Sequence, residues 1–312
     1  MYKILIVDKV TKFDTLTNAE FNMLTPEHRE RIKKADFEHK QTMSEIKNNS
    51  AIEESSIFFY IDDNCGSVKC ELIFMNVNEI KNDCNFNDID VFVSIGGDGT
   101  ALFLAKFIKN QPLISINSNP DTSVGRICQY KINSDNKWLL FITNVERAIK
   151  HIIWKKINAD KSPWESLSIP RLQLLIGGNE KGVFLNDALF TNENPAEMSI
   201  YNLDFSEKHE KQHSSGLWIS TGMGSTGGIN SAGVTPIDKQ EKVFLWKTRE
   251  PYEGHGRCWY SQGHLYMPTG KIVLTSMCKG MHFYLDGSHN KIPLDIGEKA
   301  TILSYQHPLN LF

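Results

Sequence analysis

The feature that most constrains the fold is an apolar run that stops at a glycine-rich turn and then resumes with helical spacing. Residues 91–95 have the β-branched and aromatic character of a short buried strand, and residues 102–107 place apolar side chains at helical spacing. Between them lies the sequence GGDGT, residues 96–100. This order predicts a strand, a tight turn and a helix that packs on the strand, which is the repeating unit of an α/β sheet.

The composition of this turn is that of a phosphate-binding site. Gly96, Gly97 and Gly99 let the backbone approach a ligand closely, and free N–H groups at a helix start suit an anion. Thr100 is able to cap the helix. Asp98 would repel a phosphate unless it had a task of its own. The alternative is a tight turn without a ligand, because glycine and aspartate are both favoured in turns.

Length and composition describe an ordinary globular chain. The 312 residues suffice for two domains or one large domain, with a charged fraction of 23% and a hydrophobic fraction of 40%. The net charge of −3 argues against a nucleic-acid partner. The glycine spacing is not that of the dinucleotide fingerprint, and no Gly-Lys-Ser/Thr triplet of the NTPase phosphate loop occurs.

Targeting and redox features favour a cytoplasmic protein. The longest apolar runs have the length of strands, so no membrane partner is expected. The first residues, MYKILIVDK, read as a strand rather than a signal peptide. Six scattered cysteines have no metal-ligand spacing and are interpreted as reduced thiols, and no protein-bound metal is predicted.

The chain changes character near Tyr130. Before it, helical patterning at residues 25–49 alternates with apolar segments that predict strands at residues 4–7, 72–77, 90–95 and 112–120. This alternation predicts a parallel α/β domain, with ligands at the carboxyl ends of its strands, near the turn and residues 117–123. After Tyr130, short apolar runs separated by Gly, Asn, Asp or Pro predict a mostly β domain. His209 and His213 are expected on a solvated loop.

Two polar segments stand out in the second half. The sequence TGMGSTGGINSAG, residues 221–233, is rich in glycine and hydroxyl side chains and suits ribose or phosphate contacts, with a flexible linker as the alternative. Asn186 and Asp187 interrupt an apolar strand. An amide and a carboxylate in such a strand need partners, so they either face solvent or bind a ligand.

Taken in order, these segments resemble the motifs of the NAD kinase family over nearly the whole chain. The matching segments are GGDGT at 96–100, LND at 185–187, GLWISTGMGST at 216–226, LDG at 285–287 and HPLNLF at 307–312. The segments VTKFD, KKADFEHK and INSNPDTSVGRIC are most similar to the mitochondrial-type NAD kinases and their bacterial relatives. Lipid kinases and phosphofructokinases share GGDG, so that motif alone is not specific.

The resemblance implies a two-domain fold, with an α/β amino-terminal domain built on a parallel sheet and a mostly β second domain. The expected boundaries are residues 1–130 for the first domain, 131–295 for the β-rich dinucleotide-binding domain, and 296–312 for a carboxyl tail that returns to the first domain. A homodimer or higher homo-oligomer is also implied.

The activity implied is transfer of a phosphoryl group from ATP or polyphosphate, with Mg²⁺, to the 2′-hydroxyl of the adenosine ribose of NAD, which gives NADP. A ribose hydroxyl is a weak nucleophile, so a carboxylate must orient it and accept its proton. By position Asp98 takes this role. The residues expected to bind nucleotide are Gly96, Gly97, Gly99, Thr100, Phe103, Asn186, Asp187, Thr221, Ser225, Thr226 and Ser231. Alternatives are a catalytically weak NAD-binding protein, or a lipid or sugar kinase that shares the turn.

The chain departs from the family pattern at three places. Asp187 stands where the family has Glu, Gly227-Gly228 where it has Ala-Tyr, and Ser214-Ser215 where it has Gly-Asp. The missing tyrosine is expected to weaken stacking on the dinucleotide, so a tyrosine at position 228 should lower the Michaelis constant for NAD. Arg126 and Arg257 are the candidate basic residues near the phosphate donor.

Overall fold

The computed structural model describes residues 1–52, 56–62, 66–81, 83–121, 126–131, 136–158, 163, 166–255 and 258–312. Arg257 and part of the predicted turn at residues 117–123 lie outside these ranges. The chain forms two compact units, the first being Met1–Leu167 with Leu309–Phe312 and the second Ser168–Pro308.

The first unit alternates strands and helices, as the sequence predicts. Its strands are β1 (Tyr2–Asp8), β2 (Ser56–Asp62), β3 (Gly66–Asn76), β4 (Val91–Gly96), β5 (Pro112–Asn117), β6 (Tyr130–Lys131) and the carboxyl-terminal strand (Leu309–Leu311). Its helices are α1 (Lys12–Thr15), α2 (Asn18–Met23), α3 (Pro26–Ile52), α4 (Asp98–Ala105) and α5 (Lys137–Asn158), with a 3₁₀ turn at Val77–Glu79.

These strands form one mainly parallel sheet in the order β2-β3-β1-β4-β5-carboxyl-terminal strand, with β6 beside β5. All neighbours with a described register are parallel except β2 and β3, which pair antiparallel at the edge. Every residue of β4 and β5 is buried, as expected for central strands covered on both faces. The parallel α/β prediction is confirmed. Gly96 pairs with Asn117, so the GGDGT turn and the turn after β5 leave the same edge of the sheet.

Helix α5 explains why the first unit extends beyond the predicted boundary at residue 130. Phe141, Val145 and Ile149 are fully buried in the same apolar cluster as β1, β4 and β5. The first unit therefore ends at Leu167, whereas a mostly β texture was expected from residue 131. At the other end, only Leu309–Phe312 belongs to the first unit, because Lys299–Ser304 is a strand of the second.

The second unit consists almost entirely of strands. After β7 (Leu167–Ile169), where the chain passes between units, they are β8 (Leu172–Ile176), β9 (Asn179–Phe184), β10 (Asp187–Asn192), β11 (Ser199–Phe205), β12 (Lys208–Ser214), β13 (Gly216–Ser220), β14 (Val243–Arg249), β15 (Gln262–Tyr266), β16 (Lys271–Ser276), β17 (Met281–Leu285), β18 (Lys291–Leu294) and β19 (Lys299–Ser304). A short helix, α6 (Gly228–Ser231), and 3₁₀ turns at Met223–Thr226 and Glu253–His255 complete it.

These strands form two antiparallel sheets that share one apolar core. The sheet orders are β15-β14-β13-β10-β17-β18 and β12-β11-β16-β19-β8-β9. Phe190 and Phe283 stack in the core with ring centroids 4.5 Å apart, and Tyr201 of the other sheet packs edge-on against Phe190. The mostly β prediction for this part is confirmed. The loop expected at His209 and His213 is wrong, because both lie on β12, which pairs along its length with β11.

Candidate functional site

The GGDGT turn joins β4 directly to α4. Gly97 is the N-cap residue, and its carbonyl accepts a hydrogen bond from the Thr100 N–H at 3.1 Å. The expectation that Thr100 caps the helix is therefore wrong, because Thr100 lies in the first turn with its side chain buried. A side chain at Gly96 would overlap the Thr100 hydroxyl, so this position needs glycine. Gly99, in contrast, is exposed and has open space beside it.

Asp98 is bound to backbone amides rather than directed at the glycines. Its Oδ2 accepts the N–H of Arg126 at 2.8 Å, and its Oδ1 accepts those of Ile127 at 2.9 Å and Cys128 at 3.3 Å. These bonds hold the turn against the segment that leads into β6. They also place three N–H dipoles against the negative charge of the carboxylate. A carboxylate offers about four acceptor positions, and these backbone bonds occupy three of them.

Phe103 lies on α4 within a small aromatic group. Its ring centroid is 5.4 Å from that of Phe107, and the Lys106 Nζ lies 4.4 Å from the Phe103 ring. The ring is half-buried, so part of it remains open to a ligand. Arg126 takes part in the site through its backbone N–H to Asp98, and its side chain is exposed.

A buried histidine stands beside the turn and was missed by sequence reasoning. His39 of α3 contacts the Ser118 Oγ through Nδ1 at 2.9 Å, and its Nε2 is 3.7 Å from the Asp8 carboxylate. Ser118 in turn donates its N–H to the Gly96 carbonyl at 3.0 Å. These contacts fix the strand ends next to the turn. No local sequence pattern marks them, since they join residues far apart in the chain.

In the second unit, a carboxylate organises the predicted Asn186-Asp187 element. Asp286 accepts the N–H groups of Leu185 at 2.8 Å, Asn186 at 2.7 Å and Asp187 at 3.2 Å. The pKa of the Asp286 carboxyl is raised to about 7, mainly by burial and also by the nearby Asp187 carboxylate, while the three N–H bonds oppose the shift. The LDG motif thus orients residues 185–187.

The side chains of Asn186 and Asp187 are left without protein partners. The Asn186 Oδ1 is buried and has no hydrogen-bond partner in the described part of the chain. The Asp187 carboxylate makes no side-chain hydrogen bond or ion pair among the described residues, and burial raises its pKa to about 6. Unpaired polar atoms of this kind carry a cost that a ligand would remove. They favour the ligand-binding alternative over a solvent-facing strand end.

Asp187 lines an open cavity of about 390 Å³, a size that suits a nucleoside. Its walls are Asp187, Leu189, Thr191, Asn192, Glu193, Pro195, Trp218, Arg249, Tyr284, Gly287 and Ser288. We call this the aromatic cavity. Trp218 and Tyr284 offer ring faces for stacking a base, and the carboxylate of Asp187 is an acceptor for a sugar hydroxyl.

The glycine-rich segment of residues 221–233 packs on the Asn186-Asp187 element. The Thr221 N–H donates to the Asn186 carbonyl at 3.0 Å and its Oγ1 to the Leu185 carbonyl at 2.5 Å. Gly224 passes so close that a side chain there would overlap the Asn186 carbonyl. Thr221 and Ser225 are fully buried, and their hydroxyls are engaged with backbone groups.

Thr221 and Ser225 were both predicted to bind nucleotide, but their hydroxyls instead hold the backbone of the glycine-rich segment in place. Thr226 is half-buried and Ser231 is exposed, so both stay available to a ligand. The structure thus brings Asn186 and Asp187 together with the glycine-rich segment, as expected. Within the segment, the hydroxyls of Thr221 and Ser225 are buried, whereas those of Thr226 and Ser231 are accessible.

Trp218 fills the space beside Gly228, the position at which the family has a tyrosine and this chain does not. A Cβ built on Gly228 would lie 2.6 Å from the Trp218 Cζ2, so the indole of β13 fills the space beside this glycine. The aromatic group that seemed to be missing is supplied by another strand. The expectation that a tyrosine at position 228 would improve NAD binding loses its basis, because that side chain would collide with the indole.

Across the described residues, no group of three or more His, Cys, Asp or Glu side chains is placed to hold a metal ion. No helix of the described chain is long and apolar enough to cross a membrane.

Sequence comparisons lead to one kind of protein. No protein-family profile matches the chain. A probable NADH kinase of Oryza sativa subsp. japonica is 25% identical over 291 residues, which cover 83% of this chain and 87% of that protein. An NAD kinase of Methanospirillum hungatei is 28% identical over 165 residues, 52% of this chain and 54% of the relative.

Solved structures share the fold. A crystal structure of an NAD kinase from Archaeoglobus fulgidus in complex with ATP aligns with a TM-score of 0.58 at 18% identity, over 99% of this chain and 93% of that one. The yeast NADH kinase complexed with NADH aligns with a TM-score of 0.60 at 15% identity, over 99% of this chain and 83% of that one.

An α/β unit that carries the GGDGT turn, followed by a two-sheet β unit with a glycine-rich segment, defines the class of NAD kinase-like folds. The motifs and relatives place the chain within that class. Its motifs resemble those of the NAD kinase family, and the curated relatives that it matches are NAD and NADH kinases.

Proposed function

We propose that the protein phosphorylates the 2′-hydroxyl of the adenosine ribose of NAD or NADH, with ATP or polyphosphate as donor, and so forms NADP or NADPH. The observation that carries this proposal is the pair of unpaired polar groups at Asn186 and Asp187. The family resemblance assigns these residues to the dinucleotide, and Asp187 independently lines a nucleoside-sized aromatic cavity.

The residues divide the work of such a reaction between binding and proton handling. Trp218 and Tyr284 would stack on a base, and Asp187 would accept a hydrogen bond from a ribose hydroxyl. Asp98 would orient the attacking hydroxyl and accept its proton. The amide bonds that Asp98 receives keep its carboxylate in one position, and positioning contributes much of the rate in phosphoryl transfer.

The donor phosphates would be held by N–H groups of the GGDGT turn. Mg²⁺ would enter as part of the donor complex, since the described residues do not assemble a three-ligand cation site of their own. The ion would neutralise charge on the donor's phosphate oxygens. NADH is included as a substrate because two of the similar proteins are described as NADH kinases. The cytoplasmic compartment stays a prediction from the sequence, and the homo-oligomeric state stays a prediction from the family resemblance.

A coupled assay tests the proposal. The protein is incubated with Mg²⁺, with ATP or inorganic polyphosphate, and with NAD or NADH, and the product is measured with an NADP-specific dehydrogenase. We expect product with at least one donor and loss of product in Asp98→Asn. Binding of NAD without any product would favour a sensor protein instead, and neither binding nor product would refute the assignment of the substrate.

A further inference from the structure

Three buried polar side chains follow one another through the parallel sheet of the first unit. Ser94 of β4 is paired with Ser115 of β5, and Cys128 lies just before β6, the neighbour of β5. All three residues are buried. Hydroxyl groups inside a central sheet need hydrogen-bond partners, and these residues supply them to one another. We call this set the buried polar chain.

The hydrogen bonds of the buried polar chain all run in one direction. The Ser94 hydroxyl donates to the Ser115 Oγ at 2.9 Å, and the Ser115 hydroxyl donates to the Cys128 Sγ at 3.3 Å. Each hydroxyl therefore uses its proton on the next member, and the S–H of Cys128 is left to donate onward. Because donors in series polarise one another, this thiol is a better donor than an isolated one.

The acceptor beside the Cys128 thiol is Asp98. The Cys128 N–H donates to the Asp98 Oδ1 at 3.3 Å, which keeps the two residues side by side. Burial raises the pKa of the Cys128 thiol to about 12, and the Asp98 carboxylate acts in the same direction, while the Ser115 hydroxyl and the Lys9 ammonium oppose the shift. The sulfur therefore keeps its proton near neutral pH.

We propose that the buried polar chain positions Asp98 for proton transfer, with the Cys128 thiol as the group that donates to the carboxylate. The backbone amides hold Asp98 from the segment before β6, and the thiol adds a contact that the sheet core fixes in place. A thiol is a weak donor, so an incoming hydroxyl can displace it from the carboxylate. The effect on turnover rests on the proposed kinase function, while the hydrogen bond does not.

Infrared spectroscopy of the full-length protein tests this hydrogen bond without any substrate. The S–H stretch absorbs where few other protein groups do, and the difference between wild type and Cys128→Ala isolates the Cys128 band. Cys70 provides the matched control, because it is a buried thiol of the same unit that lies in an apolar cluster, and burial raises its pKa to about 12 as well.

We expect the Cys128 band at a lower frequency than the Cys70 band, which Cys70→Ala isolates in the same way. Asp98→Ala should move the Cys128 band toward that of Cys70 and leave the Cys70 band in place. A Cys128 band that does not respond to Asp98→Ala would overturn the proposal.

Steady-state kinetics of NADP formation test the positioning role. Cys128→Ala should lower kcat roughly two- to tenfold, the usual range for one neutral hydrogen bond, with the Michaelis constants for NAD and ATP almost unchanged. Cys128→Ser keeps a donor and should recover most of the loss, and Cys70→Ala should leave kcat unchanged. Ser115→Ala should lower kcat in the wild type and have no further effect in the Cys128→Ala background.

The kinetic outcomes separate positioning from packing. Equal losses in Cys128→Ser and Cys128→Ala, or additive losses from Ser115→Ala and Cys128→Ala, would leave Cys128 with a packing role and overturn the positioning assignment. The expected infrared shift in a protein that forms no NADP would refute the kinase assignment alone. An active protein whose Cys128 band ignores Asp98 would refute the buried polar chain alone.

Discussion

In the described part of each unit, one aspartate carboxylate accepts hydrogen bonds from three successive backbone N–H groups. In the first unit Asp98 binds the amides of residues 126–128, and in the second Asp286 binds those of residues 185–187. The two motifs, GGDGT and LDG, thus use the same local chemistry. Their surroundings differ, and that difference separates a positioning residue from a candidate catalytic one.

Asp286 has a second carboxylate close by, whereas Asp98 has glycines on both sides. Burial and Asp187 together raise the pKa of Asp286, and its three amides all belong to the segment that carries Asn186 and Asp187. Its role is to hold those two residues. Asp98 lies at the start of a helix next to an exposed glycine with open space. A substrate can therefore reach the turn, and a role in proton transfer is chemically accessible to Asp98.

The largest effect expected is that of Asp98→Asn. The variant keeps the size of the side chain but removes the proton acceptor, so turnover should fall roughly 10²–10⁴-fold while NAD still binds. Steady-state kinetics and NAD titration measure this. The matched control is Asp286→Asn, which replaces one oxygen of the other amide-bound carboxylate in the same way. An equal loss of turnover in both variants would show that the two aspartates act alike, as backbone ties, and would remove the catalytic assignment.

A smaller effect is expected at Asp187. Its side chain has no protein partner, so Asp187→Ala leaves the backbone bonds to Asp286 in place and should not unfold the second unit. We expect the Michaelis constant for NAD or NADH to rise roughly tenfold or more, the usual value of a charged hydrogen bond, with that for ATP almost unchanged. Initial-rate measurements with each substrate varied separately would show this. An equal rise for both substrates, or a lowered melting temperature alone, would support a purely structural role.

Replacement of Trp218 should have a milder effect. If its indole stacks on the dinucleotide, Trp218→Ala should weaken NAD binding roughly two- to twelvefold. Gly228→Tyr should impair binding or stability in the wild type, because the new side chain meets the indole. The same tyrosine should be tolerated in the Trp218→Ala background. A double-mutant cycle measures this coupling, and additive effects would show that the two positions do not share one space.

The sequence predicted the fold well because the patterns that define it are local. The strand that ends at Gly96, the long helix α3 and the change to a β-rich unit all follow from periodicity and turn residues. Helix α5 was missed although Phe141, Val145 and Ile149 recur at helical spacing. The general change in texture near Tyr130 concealed that signal.

Features of the site that depend on contacts between distant residues could not be read from the sequence. The amide partners of Asp98 lie 28–30 positions away, and those of Asp286 about 100. Trp218 substitutes for a ring at position 228 only because β13 lies beside α6 in the folded unit. The sequence identified Asp187 as a residue in need of a partner, and the fold was required to show that its partner is not part of the described protein.

The smallest effect expected is a pH dependence of stability in the second unit. The pKa of Asp286 is raised to about 7 from an ordinary value of 3.8, so the folded state binds more protons than the unfolded state between these values. Its contribution to stability is therefore largest at low pH and is lost as the pH rises from about 4 to about 7. Asp187, with its pKa raised to about 6, acts in the same direction.

The variant Asp286→Asn cannot titrate at this position, so its melting temperature should depend less on pH than that of the wild type. The melting temperatures of the two proteins, plotted against pH, should diverge by roughly a few degrees across this range. Asp98→Asn is the control from the other unit. If wild type and Asp286→Asn show parallel pH profiles, the Asp286 carboxyl is charged throughout, and the electrostatic contrast between the two amide-bound aspartates does not exist.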